Sequence, residues 1–556
     1  MGLQLTIKML GTVAELFLPS LLSIILDECA PAGNMAGVWW LGLGMVISAL
    51  AACIGNIVAN RMSTSITRQF TYAMRRDLFR KVTALSAAQQ DKVTDASLVS
   101  RLSTDTYNVN NMVDRLQRLG VRAPIMLIGG IFVSLTLDPV LTLVLIATLP
   151  LLSMSVIYTS RKGVPLFTRV QEGQDHMVRK VQENMSGARV IRALSRTQHE
   201  RDAFGEINEE LARRQRTADM TMATVSPFVN LILNTGLALV VLVGAWRVHQ
   251  GTALPGTIIA FLSYFTIILN AMLSISRLFV MYSKGSASMR RIEEILLMPE
   301  DLLQDASLPA QDTQAHVTFR NVSFSYNKNY DNLSNIDFSI DHGQTLGIIG
   351  PTGSGKSTLL ALLMRQYDPD KGEILLDGRP LPSLSKDELL GRLGVVFQND
   401  FLMADTIREN IRFGRDVSDA SMEEAIDCAQ AGFIRKKEGG PEFALNVKGR
   451  NLSGGQQQRV LICRALAGDP RLLLLDDCSS ALDFRTDREL RRALRQRHGS
   501  ATTIIVAQRV SSVMAADKIL VMDKGSIIGM GTHEELLSAC PVYRELTLMQ
   551  LGGEAV

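Results

Sequence analysis

A chain of 556 residues is long enough for two or more domains. Its 47% hydrophobic and 20% charged residues, with a mean hydropathy of +0.14, argue against an ordinary soluble enzyme and fit a protein half embedded in a membrane. A net charge of +3 gives no electrostatic case for nucleic acid as a partner, and six scattered cysteines form neither a metal spacing nor a disulfide framework.

From the N-terminus, apolar segments fall near residues 5–26, 38–60, 123–137, 140–158, 224–246 and 256–280. Most approach the roughly 20 residues that span about 30 Å of hydrocarbon, so six transmembrane helices are expected. The first carries Glu15 and Pro19 and lacks a clean cleavage site, which makes it a membrane helix rather than a removable signal peptide. Glu15 then needs a place inside the helix bundle or at the interface.

The connections alternate in charge. A dense run of Lys and Arg extends from Arg61 to Arg122, and a second from Arg161 to Arg216. The opposite-side connections, from Asp27 to Gly37 and at Asp138-Pro139, hold no basic residue, and the turn near His249 has only Arg247. The positive-inside rule puts both long loops and both termini in the cytosol. Phe70, Met74, Leu78 and Val82 recur every four residues, so the second span is predicted to continue as a helix beyond the membrane. Val178, Val181, Met185 and Val190 imply the same for the fourth.

Residues 299–314, rich in Asp, Gln and Pro, read as a linker between a membrane domain (1–298) and a soluble domain (315–556). The soluble part alternates β-rich and helical runs, the pattern of an α/β domain. Strands are expected over Val317–Tyr326, Leu346–Ile349, Leu472–Asp476 and Thr502–Ala507, with a helix over Ser357–Met364.

Chemistry concentrates in this half. Gly350-Pro351-Thr352-Gly353-Ser354-Gly355-Lys356-Ser357 fits G-x-x-x-x-G-K-[ST] between a strand and a helix that continues through Thr358. Its glycines let backbone N–H groups wrap phosphates, Lys356 supplies charge, and Ser357 offers a hydroxyl to Mg²⁺. Four leucines then deliver Asp476, a metal-directed carboxylate, at the end of a buried strand. Leu452-Ser453-Gly454-Gly455-Gln456 resembles the signature motif of ATP-binding cassette (ABC) proteins, in which Ser and Gly donors, here Ser453 and Gly455, meet the γ-phosphate of another subunit's ATP.

The resemblance covers the whole chain. In the soluble half the phosphate loop, Gln398, the signature, Asp476, Ser480-Ala481-Leu482-Asp483 and Gln508 follow in family order. By that resemblance Tyr326 would stack on adenine, Gln398 would join Ser357 and Asp476 at Mg²⁺, and Asp483 would lie at the dimer seam. In the membrane half, Ser97–Asp105 looks like the first cytosolic coupling segment, and Ser186–Arg192 like the approach to the second. Six spans and a C-terminal cassette on one chain resemble one half of an ABC exporter, although the elbow helix that precedes the first span in the family is missing or truncated.

Two positions depart from the family pattern. Where a competent cassette has Glu to handle the attacking water, this chain has Asp477, retracted by about one C–C bond. Where the family has His, it has Gln508, which can hydrogen-bond but carries neither charge nor a mobile proton. The chain therefore resembles the degenerate-site subunit of bacterial heterodimeric multidrug exporters. That resemblance implies ATP and Mg²⁺ as cofactors, and a second, non-identical half-transporter as partner, with Glu and His at the positions of Asp477 and Gln508. It also implies a plasma-membrane location and amphiphilic cargo such as drugs or lipids. The rival readings are a homodimeric lipid flippase and an ATP-sensing regulatory subunit that transports nothing.

Overall fold

A computed structural model of the chain describes residues 1–398 and 400–551, so 552–556 of the expected soluble domain lie outside it. The chain divides into two compact units, Met1–Ala84 with Asp95–Met298, and Leu85–Thr94 with Pro299–Val556.

The first unit is all-helical. Five helical stretches among the described residues are long and apolar enough to cross a membrane: Gly2–Cys29, Met35–Ala84, Asp95–Leu137, Thr197–His249 and Pro255–Leu296. The fourth expected span falls in the helix Pro139–Ser186, whose head Pro139–Ser155 is apolar. The 50-residue helix Met35–Ala84 would measure about 75 Å, more than twice the hydrocarbon thickness, which accounts for the apolar repeat continuing past Arg61. The core of this unit gathers Phe261, Phe265 and Ile268 against Leu16, Met126, Leu141 and Val240. Buried Tyr264 donates its hydroxyl proton to the Leu16 carbonyl at 2.5 Å. Glu15 pairs with Arg122 Nη2 at 2.7 Å, which supplies the partner that an acid in the first span requires.

Leu85–Thr94 belongs with the soluble unit. Ser86 opens the short helix Ala87–Val93 with a reciprocal capping box to Gln89. The Ser86 hydroxyl donates to Asp301 Oδ2 at 2.6 Å, Gln89 Nε2 to the Pro299 carbonyl at 2.7 Å, and the Tyr367 hydroxyl to Asp91 Oδ2 at 2.7 Å. The segment that joins the soluble unit thus precedes Ser97–Asp105, where the sequence resemblance had put it. Residues 97–105 instead begin the third long helix of the membrane unit, with Asp105 paired to Arg291 and Arg101 Nη2 to Glu294 at 3.0 Å.

The soluble unit holds two sheets. One is four-stranded and antiparallel, in the order β2 (Leu333–Asp341), β1 (Ala315–Phe324), β4 (Lys371–Leu376) and β5 (Arg379–Pro380). The other has six strands in the order β10 (Ser526–Gly531), β9 (Lys518–Asp523), β3 (Thr345–Ile349), β8 (Thr502–Val506), β7 (Leu472–Asp476) and β6 (Leu393–Val396). All its pairings are parallel except β9 with β10. The four-leucine run is central in this sheet and buried throughout. Leu472 and Leu474 join one apolar cluster, and Leu473 and Leu475 join another on the opposite face. Each such leucine contributes about 1.5–3 kcal/mol by burial, so the strand reads as a continuous apolar run rather than an alternation.

Candidate functional site: a phosphate-binding cleft

In a parallel sheet, ligands bind beyond the carboxyl ends of the strands. Here β3, β8 and β7 lie side by side, with Ile348 opposite Val506 and Val506 opposite Asp476. Three chain segments therefore leave the sheet at one edge: the loop after β3, Gln508 after β8, and Asp476-Asp477 at the end of β7. They line a cleft of about 450 Å³.

The loop is shaped by its glycines. A Cβ at Gly350 would come within 2.1 Å of the Met522 carbonyl oxygen, so only glycine fits where β3 ends. Gly355, at φ +101°, caps the helix Lys356–Leu363 in a left-handed conformation that other residues rarely adopt. Thr352, Gly353, Gly355, Lys356, Ser357 and Thr358 line the cleft. Gly350, Pro351 and Ser354 sit behind it and hold the lysine. Lys356 Nζ donates to the carbonyls of Gly350 (2.9 Å) and Pro351 (2.7 Å), and to Ser354 Oγ (3.4 Å). Lys356 is buried, and desolvation lowers its pKa against the pull of Asp476 and Asp477.

Opposite stand the acids. Burial pushes the Asp476 carboxyl above the usual carboxylate range, opposed by a hydrogen bond from Ser357 and by the Lys356 charge. Asp477 is raised too, first by burial and then by the charge of Asp476, with Arg509 and Lys356 opposing. Its backbone is left-handed at φ +48°, and its N–H donates to the Val506 carbonyl at 2.9 Å. Asp and Asn tolerate this conformation better than longer side chains do. Gln508 is exposed on the same wall, and Gln398 joins the lining.

Tyr326 is not part of this lining. Its ring meets Phe324 and Tyr367 edge-on, and its hydroxyl donates to Thr358 Oγ1 at 3.4 Å. It faces a second hollow that shares Ser357, Thr358 and Asp476 with the first. Tyr330, Asn332 and Lys524, which the sequence reading did not single out, complete the cleft. Their only sequence signal is their setting in the polar turns between β1 and β2 and between β9 and β10. Gln550 was also missed: its Nε2 donates to the Gln508 carbonyl at 2.9 Å, and its Oε1 accepts the Val510 N–H at 2.7 Å.

The signature residues stand apart, and none of 452–456 lines the cleft among the described residues. Ser453 is exposed at the N-cap of the helix Gly454–Leu466 and forms a reciprocal capping box with Gln456. Gly455 lets the next segment approach: a Cβ there would lie 3.0 Å from the Ala481 carbonyl oxygen. Asp483 caps the helix Phe484–Arg497 by accepting the Thr486 N–H at 2.9 Å.

Residues 1–272 match the family model of the ABC transporter transmembrane region, and residues 333–480 match that of the ABC transporter. The uncharacterized ABC transporter ATP-binding protein YfiB of Bacillus subtilis (strain 168) is 32% identical over 558 residues, covering all of this chain and 96% of that protein. The chain belongs to the ABC transporters. Another relative, the uncharacterized ABC transporter ATP-binding protein Rv1273c of Mycobacterium tuberculosis (strain ATCC 25618 / H37Rv), is also 32% identical, over 99% of this chain and 95% of its own length. A bacterial Atm1-family ABC exporter, solved with ATP bound, shares the fold at a TM-score of 0.81 and 23% identity, with 100% of this chain and 98% of that one covered. This ABC protein thus carries its transporter membrane region and its ATP-binding cassette on one chain, with ATP as its energy source and the fold of that exporter.

Proposed function

We propose that the chain is the degenerate-site half of a heterodimeric exporter of drugs, lipids or similar amphiphiles, in the plasma membrane with its cassette and both termini cytosolic. One observation carries this reading: Asp477 and Gln508 occupy the same cleft as an intact phosphate loop. Lys356 and the loop amides would hold the phosphates, and Tyr326 the adenine. Ser357, Gln398 and Asp476 form an oxygen-rich set that suits Mg²⁺, whose role is to neutralise phosphate charge. Asp477, short by one methylene, and Gln508, which cannot carry a proton, leave water activation weak.

The signature, with exposed Ser453 and half-buried Gly455, would close over the partner's nucleotide, where the partner's own Glu and His would perform hydrolysis. ATP binding would draw the two cassettes together and turn the membrane cavity outward, and hydrolysis at the partner's site would reset it. The test is steady-state ATPase of this chain purified alone and then with its partner. Slow turnover alone and brisk turnover together are expected; brisk turnover by the lone chain would sink the heterodimer.

A further inference from the structure

Three side chains that take no part in the nucleotide cleft converge among β1, β2 and β4. His316, near the start of β1 and 1% exposed, stacks on His342 of the β2–β3 turn, with centroids 4.3 Å apart and planes at 15°. Asp377, in the β4–β5 turn, directs Oδ1 at both rings, 3.8 Å from His316 Nε2 and 3.2 Å from His342 Nε2. The three potential ligand atoms all lie within 4.8 Å of one another. Asp377 Oδ2 is taken by Arg392 Nη1 at 2.9 Å, which orients the carboxylate and leaves Oδ1 without a hydrogen-bond donor.

Thr502, at the start of β8, holds the ring of His316. Its hydroxyl accepts the Gly343 N–H at 3.1 Å and donates its one proton to the Asp341 carbonyl at 3.4 Å. The hydroxyl also meets His316 Nδ1 at 2.6 Å and so fixes the ring. His316 Nε2 faces Asp377 Oδ1 at 3.8 Å, and both atoms are buried with no hydrogen-bond partner. Buried polar atoms without partners are costly, and a cation between these two would satisfy both.

We propose that His316, His342 and Asp377 bind a divalent transition metal, Zn²⁺ by preference, with water completing the shell on the exposed side of His342. Two imidazoles and one carboxylate are the nitrogen and oxygen donors that Zn²⁺ takes, whereas Mg²⁺ and Ca²⁺ favour oxygen alone. Thr502 is a positioning residue that holds the His316 ring, as hydrogen-bonded partners commonly do behind metal-bound histidines. The ion would join β1 to the turns at either end of the antiparallel sheet. Through Thr502 the site also reaches the parallel sheet that carries the nucleotide cleft.

The test is a Zn²⁺ titration of the full-length chain in detergent, purified with a histidine-free tag, stripped with chelator and read by competition with a chromophoric zinc indicator. Wild type is expected to bind one equivalent and to gain thermal stability with Zn²⁺ but not with equal Mg²⁺. His342→Ala removes an exposed side chain, leaves the fold intact, and should weaken binding and abolish the thermal gain. Thr502→Val should weaken binding about 10- to 100-fold without removing a ligand. Absence of saturable Zn²⁺ binding by the wild type, or equal binding by His342→Ala, overturns the site.

Discussion

On one wall of the nucleotide cleft, Lys356 is buried and tied by three hydrogen bonds within a loop that a Cβ at Gly350 would disrupt. On the facing wall, Gln508 is exposed and Asp477 only half-buried. The first wall is made of backbone geometry and tolerates little change. The second is made of side-chain reach, and shortening an acid or exchanging an imidazole for an amide there leaves the sheet and both apolar clusters untouched. Gripping ATP and firing it are therefore separable in this fold, and on the proposed reading the chain would keep the first while weakening the second.

The largest effect expected from breaking this contrast lies outside the cleft. Ser453→Arg places a long cation at an exposed helix N-cap that, on the proposed reading, would serve the partner's γ-phosphate. Steady-state ATPase of the assembled transporter should fall about 100-fold or more, the range for losing a preorganised donor. Next, Lys356→Ala should weaken ATP binding at this chain's own site about 10- to 100-fold, the equivalent of losing charge-assisted hydrogen bonds. Equilibrium binding of a fluorescent ATP analogue measures it, with the partner's site disabled.

The contrast can also be sharpened. Asp477→Glu with Gln508→His rebuilds the water-handling wall and should raise single-site turnover about 10-fold, below the ~100-fold or more that a well-placed general base can give. The discount is conformational: at φ +48° a glutamate costs about 1 kcal/mol more backbone strain than aspartate. Turnover would be read by single-turnover hydrolysis with the partner's site silenced.

What the sequence disclosed follows the reach of each physical cause. The loop Gly350–Ser357, the strand Leu472–Asp476 and the acid after it are local patterns, and the structure has that strand at those bounds. The expected strand Val317–Tyr326 is shifted to Ala315–Phe324, because its register is set by pairing with β2 and β4. Residues that reach the cleft from distant turns, such as Tyr330 and Lys524, carry no motif: the order β9-β3-β8 brings Lys524 near, and Tyr330 precedes β2, whose Ser334 N–H donates to the Gly525 carbonyl at 2.8 Å. The transfer of Leu85–Thr94 to the soluble unit was equally hidden, since its bonds to Pro299, Asp301 and Tyr367 span more than 200 residues.

The smallest predicted effect discriminates most. Asp477→Asn keeps the side-chain length and suits the left-handed backbone at least as well as aspartate, so the N–H bond to Val506 and the turn to Ser480 should survive. The substitution removes only the charge, and with it the repulsion from Asp476 that helps raise the Asp477 pKa. If the partner's site performs the hydrolysis, steady-state ATPase of the heterodimer should change by less than about twofold. A loss as deep as that of Ser453→Arg could not be assigned to misfolding, because the change is nearly isosteric. It would mean that Asp477 handles the attacking water itself, and the two walls would then share the work rather than divide it.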